Sequence, residues 1–220
     1  SNKQFVLKRD SKSYPGFEIR NIKSNNLLWT GKGKNTTPLF TKEELLAKNG
    51  KFNDNQMSTA LVIKYGKFKY YAGGDNSGLV DQDHAEWYDI ETPMAPLVGK
   101  VSAMSLNHHS NRDATNRNFL DVLDPKVVVA QSWSPDHPGP EVGQRLLSGN
   151  VGTQKREIFM TYYHEETGIG IGPWFSRGIK AKEGHIVIRV YPDGKYDVYV
   201  LDSRKSNMTI VKKFGPYVSE

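Results

Sequence analysis

Two segments of the chain leave little choice but antiparallel pairing. Residues 58–64, Ser-Thr-Ala-Leu-Val-Ile-Lys, and 68–72 are rich in β-branched and aromatic side chains, and only Tyr65-Gly66-Lys67 separates them. Residues 185–191 and 195–201 alternate apolar and polar with period two around Pro192-Asp193-Gly194. Such runs, broken by short glycine-containing turns, predict hairpins. A third run, Val127-Val128-Val129-Ala130, reads as a buried strand.

Around these anchors the chain alternates. Residues 4–9 and 16–30 read as short strands. Thr41 followed by Glu43, Glu44 and Leu45-Leu46 reads as a capped helix ended by Gly50. Residues 84–89 start a helix, 91–96 with two prolines are a linker, and 98–106 are a strand running into Asn107-His108-His109-Ser110. Residues 115–123 and 141–147 are helices, 157–163 a strand, and glycine-rich 168–172 flexible. The order predicts an α/β chain, a mixed sheet with helices on one face, followed by a C-terminal β-hairpin region. A boundary near 150–155 gives two parts, 1–152 and 153–220.

Composition narrows the chemistry. The 220 residues include no cysteine, so disulfides, thiolate metal sites and cysteine nucleophiles are excluded. Any metal is left to His, Asp, Glu or backbone. Aromatic residues make up 11% of the chain, which argues for a packed core. No run approaches the length of a membrane span, and no signal peptide is visible, so a cytoplasmic location is favoured over a secreted one. The net charge is +6. The excess sits in residues 1–50, without a dense run; it reads as a solvated lysine surface, with nucleic-acid binding resting on this feature alone. There is no Walker loop, Gly-x-Ser-x-Gly or His-Glu-x-x-His, and Gly168-Ile169-Gly170-Ile171-Gly172 lacks the setting of a dinucleotide fingerprint.

Three buried strands each lead into a residue able to ligate or transfer a proton. Asp75 follows 68–72 through Gly73-Gly74, His108 and His109 follow 98–106, and His137 follows 126–131. Loops beyond strand ends are where sites gather in layered α/β folds. A carboxylate and imidazoles suit zinc or manganese. On an extended backbone adjacent histidines point to opposite sides, so one of the pair at most would face a given ion. Each residue also has a structural reading: Asp75 as a turn residue, His137 as a solvated loop histidine. His84 reads as surface, His164 and His185 as structural.

These elements in order resemble the metallo-β-lactamase superfamily, in particular its competence-protein-type branch, over about residues 53–140. Asn55 with Ser58-Thr59-Ala60-Leu61-Val62-Ile63, the hairpin ending at Gly73-Gly74-Asp75, Asn107-His108-His109-Ser110, Leu123-Asp124-Pro125 before the valine strand, and Asp136-His137-Pro138 carry the likeness. Asn107-His108-His109 followed by Asn111 looks closer to the superfamily's phosphorylcholine-esterase relatives. The resemblance implies the C-terminal half of an αββα sandwich and a hydrolase acting on a phosphoester or related ester. It implies Asp75 and His109 as metal ligands, Asp75 bridging two zinc (or manganese) ions, with His108 and His137 at the substrate as catalytic groups. The superfamily's His-x-His-x-Asp-His element is absent from the chain. A fragment is the favoured explanation, since Ser1-Asn2 looks engineered. A partner chain that supplies the missing half, and a lineage that has lost its metals and become a binding or assembly module, are the others. Strand edges meant for the missing half make a homodimer plausible.

Overall fold

The structure is a computed structural model and describes residues 4–5, 14–47, 54–78 and 88–220. In chain order the elements are β1 (Gln4–Phe5), β2 (Phe17–Ser24), β3 (Leu27–Trp29), β4 (Thr36–Pro38), α1 (Lys42–Ala47), β5 (Ala60–Tyr65), β6 (Phe68–Gly73), α2 (Glu91–Val98), β7 (Ala103–Ser105), α3 (Arg117–Leu123), β8 (Val127–Ala130), α4 (Pro140–Leu147), β9 (Glu157–Met160), α5 (Glu165–Ile171), α6 (Pro173–Gly178), β10 (Ile179–Ala181), β11 (His185–Val190), β12 (Lys195–Leu201) and β13 (Ile210–Val218). Short 3₁₀ turns cover Asp54–Met57 and Asn107–Ser110. The predicted ends at residues 6–9, Gly50 and His84 lie outside the described residues.

Ten strands form one mixed sheet in the order β10-β9-β8-β7-β6-β5-β2-β3-β4, with β1 on β2. From β6 to β10 every neighbouring pair is parallel; β5, β2, β3 and β4 join antiparallel. Parallel strands need crossovers, and α2, α3 and α4 supply them between β6 and β9. Period-two alternation then sorts the side chains. Met104, Val128, Ala130, Ile158 and Met160 pack with Met94, Phe119, Leu120, Val142 and Phe175 of the helices. Ala103, Val127, Val129 and Phe159, one position out of phase, pack against Tyr196, Val198, Val200 and Tyr217 of the antiparallel sheet β11-β12-β13. The molecule is thus mixed α/β, with helices on one face of the large sheet and a small sheet on the other. β9 and β10, beyond residue 152, belong to the large sheet.

Local signals account for several ends. Thr41 Oγ1 accepts from Glu44 N at 3.1 Å while Glu44 Oε2 accepts from Thr41 N at 2.8 Å, a reciprocal cap. The β5–β6 hairpin closes at Gly66-Lys67, with Gly66 at φ 57. Four expectations need correction. The stretch 91–96 is helical, as part of α2: Asp89 Oδ1 caps Thr92 N at 2.9 Å, and burial of Met94, Ala95 and Val98 outweighs the two prolines. The strand expected at 98–106 shrinks to β7, because α2 runs to Val98 and turns at Gly99. The strand expected at 157–163 stops at Met160. The glycines at 168–172 lie in and just after α5, which His164 caps by accepting from Glu166 N through Nδ1 at 3.1 Å. Among the described residues, no helix is long and apolar enough to cross a membrane.

Candidate functional site

Gly73 and Gly74 end β6 because two groups press against them. A Cβ on Gly73 would lie 2.0 Å from Asn107 Oδ1 and 2.3 Å from the Tyr71 hydroxyl; one on Gly74 would lie 2.9 Å from Ser58 Oγ. The same Ser58 hydroxyl accepts from Asp75 N at 3.0 Å, which fixes where the carboxylate emerges. Asn107 in turn accepts from Tyr71 Oη at 3.1 Å and donates to buried Glu91 Oε1 at 2.7 Å. Glu91 collects two backbone donors besides, Thr115 N at 2.7 Å and Asn116 N at 2.6 Å.

This buried network holds a turn that the sequence reading took to be extended. His108 has φ 46, His109 φ 53 and Ser110 φ 70, three successive non-glycine residues in the left-handed region. Each such residue costs roughly 1 kcal/mol or more, so the surroundings must impose the conformation. They do so through His108 N to Gly74 O at 3.2 Å, Asn111 N to His108 O at 2.7 Å and Gly139 N to Ser110 O at 2.9 Å. The two rings do not alternate across a strand. Their centroids lie 6.5 Å apart with planes at 54°.

His109 faces Asp75. Its Nδ1 lies 2.7 Å from the Gln131 carbonyl, and a carbonyl can only accept, so Nδ1 carries the hydrogen. Nε2 points at Asp75 Oδ1 across 3.6 Å. Both side chains are about one third exposed, at 32% and 34%. His137, brought in by the loop after β8, stacks on His109 with centroids 5.5 Å apart and planes at 23°. Trp133, 63% exposed, meets both rings edge-on at 4.8 and 5.7 Å. Burial pushes the His137 imidazole below its ordinary value. Its Nδ1 has no hydrogen-bond partner among the described residues.

His108 turns away from this group. Nδ1 donates to Asp113 Oδ1 at 2.7 Å, and the Asn55 amide nitrogen lies 3.1 Å from Nε2. Asp113 also accepts from Tyr88 Oη at 3.1 Å. The bond to Asp113 pushes the His108 imidazole above the usual histidine value, against the opposing effect of burial.

The structure therefore brings Asp75, His109 and His137 to one mouth and sets His108 behind it, oriented by Asp113 and Asn55. Glu91, Asn107, Asp113 and Trp133 were missed as site residues. A carboxylate four positions beyond a histidine pair, in the same loop, was the available signal for Asp113. As a cation site the Asp75–His109 pair fits in donor chemistry. With Nδ1 committed to Gln131, the Nε2 lone pair and a carboxylate oxygen face one another at a spacing that two ligands of one tetrahedral ion share. Among the described residues no three His, Asp or Glu side chains form a group able to hold a metal ion. The chain matches no model of a known protein family and no curated protein.

Proposed function

We propose that the chain is the C-terminal part of a metal-dependent hydrolase of a phosphoester or related ester, with Asp75 and His109 contributing the ligands. The single observation that carries this reading is the facing of Asp75 Oδ1 and His109 Nε2 while the other imidazole nitrogen is tied to Gln131. A bound zinc or manganese ion would supply a polarised water and positive charge for the oxygen that becomes anionic. His137, stacked on His109 at the rim, would touch the substrate or hand a proton to its leaving group. His108, its ring nitrogens taken by Asp113 and Asn55, would act from behind the mouth in this reading, by holding the turn it shares with His109. The resemblance of residues 53–140 to the metallo-β-lactamase superfamily, C-terminal half, supports the reading. Further metal donors would come from a His-x-His-x-Asp-His half not found in this chain.

The test is zinc retention by the whole chain after equilibrium dialysis, measured by mass spectrometry, with hydrolysis of bis(p-nitrophenyl) phosphate read alongside. Zinc bound by the wild type and lost in both Asp75→Ala and His109→Ala is the expected result. Equal zinc in wild type and both variants removes the reading.

A second reading rests on the same count of donors. With two facing ligands, the mouth lined by Trp133, His109 and His137 would serve as a metal-free binding or assembly module. Phosphorylcholine captured by a chain that takes up no zinc, with capture lost in Trp133→Ala, selects it.

A further inference from the structure

The opposite pole of the sheet holds a cavity of about 500 Å³ that the proposed hydrolase chemistry does not use. Asp75 emerges where β6 ends; this cavity opens where β6, β7 and β8 begin, one strand length away, about 20 Å. Its walls come from the β5–β6 hairpin, the segment between α2 and β7, and the ends of β12 and β13.

Five lysines line it: Lys64, Lys67, Lys69, Lys100 and Lys126. Two carboxylates, Asp124 and Glu220, share the wall; Asp124 Oδ2 lies 3.8 Å from Lys100 Nζ, and Lys126 Nζ lies 3.9 Å from Glu157 Oε1. Asp124 accepts from Thr153 N at 2.8 Å, Thr153 Oγ1 at 2.5 Å and Gln154 N at 3.0 Å, and its side chain is 2% exposed. Glu220 accepts from Gln154 Nε2 at 3.1 Å. The charges without an ion pair among the described residues are thus Lys64, Lys67 and Lys69, the last donating its Nζ to the Val98 carbonyl.

The ladder makes this sharper. Lys64 and Lys69 are register partners directly across the β5–β6 hairpin. Like charges placed opposite destabilise a strand pair. Glu18, the partner of Lys64 on its other side, turns instead to Arg20 at 2.6 Å. Lys67 occupies the hairpin turn, exposed, with no ion pair among the described residues. Burial and the neighbouring Lys64 both hold the Lys69 ammonium below its ordinary value. Ser102, whose Oγ accepts from Lys69 N at 3.4 Å, keeps a hydroxyl hydrogen to give.

We propose that this cavity is a second ligand site, for a small anion carrying two or more phosphate groups. Such a ligand would neutralise the facing Lys64–Lys69 pair and the turn lysine together, and take the Ser102 hydroxyl as a donor. The volume lies in the range of small-molecule pockets. A half-open cavity of this size, with Lys64, Lys67 and Lys100 at its exposed rim, favours a compact anion over a long polyanion tracking a surface.

The test is isothermal titration of the whole chain with inorganic tripolyphosphate in EDTA, so that no metal links the probe to Asp75 and His109. Saturable one-site binding is expected, weakened tenfold or more in the double variant Lys64→Gln/Lys67→Gln, weakened also in Lys100→Gln on a separate loop, and unchanged in Asp75→Ala. All three lysines are exposed, and circular dichroism checks the fold. Absence of saturation, equal affinity in the lysine variants, or affinity lost in Asp75→Ala overturns the proposal. So does binding of single-stranded DNA with none of tripolyphosphate. Because the assay excludes metal, its failure leaves the hydrolase reading standing, and failure of zinc binding leaves this one standing.

Discussion

Glu91 Oε1 accepts from the Asn107 side chain 2.7 Å away, and that bond joins the first turn of α2 to the turn that carries both histidines. The carboxylate is fully buried. Burial pushes its pKa from 4.5 to about 7, although three N–H donors pull the other way. A group raised on folding contributes stability fully below its unfolded value and loses it as pH rises through the folded value. Between pH 4.5 and about 7 the Glu91 contribution should therefore decline, by about 3 kcal/mol. Urea unfolding at pH 5, 6, 7 and 8 checks this against Glu91→Gln, which cannot ionise. Parallel pH profiles of the two proteins would count against it.

Gly73→Ala is expected to disturb the site at a distance from the imidazoles. The added Cβ would meet Asn107 Oδ1 and the Tyr71 hydroxyl well inside contact distance, and both are buried. Overpacking of this kind costs about 1–3 kcal/mol. Because Asn107 precedes the left-handed turn, the variant should shift the His108 and His109 ring resonances by NMR as well as lower the unfolding midpoint. A variant with wild-type stability and spectra would contradict the packing described.

Asp124 ends α3 in the left-handed conformation, φ 39, and gathers three hydrogen bonds from Thr153 and Gln154. Replacement by Ala removes the acceptors, leaves buried Arg156 without the carboxylate 3.7 Å away and keeps a strained backbone. The expected loss is about 3 kcal/mol by denaturant titration. Asp124→Asn, which tolerates the same backbone and keeps one acceptor, should lose less.

Trp133 offers an optical readout of the Asp75–His109 pair, since its ring lies 4.8 Å from that of His109. Zinc added to the chain is expected to change tryptophan emission, and the change should vanish in Trp133→Phe while zinc retention persists. An equal response in that variant would place the ion elsewhere.

Much of the scaffold was legible because its signals are local. The turn at Gly66-Lys67, the all-apolar Val127–Ala130 and the alternation in β11 and β12 state their conformation within a few residues. The Thr41 cap is likewise written in Thr41 and Glu44. Where the reading failed, distant groups decided. Pro93 and Pro96 argue against a helix, yet Asp89 caps α2 and the core buries its apolar side.

The sequence by itself determined that buried strands would lead into Asp75, the histidine pair and the loop holding His137, because strand pattern and turn residues are short-range properties. Only the tertiary structure decided how those side chains meet. His108 and His109 take left-handed backbones because Gly74, Glu91 and Gly139, remote in the chain, hydrogen-bond to the turn and to the Asn107 that leads into it, offsetting the strain. The stacking of His137 on His109 and the gathering of five lysines at the other pole follow from strand order, which no local pattern encodes.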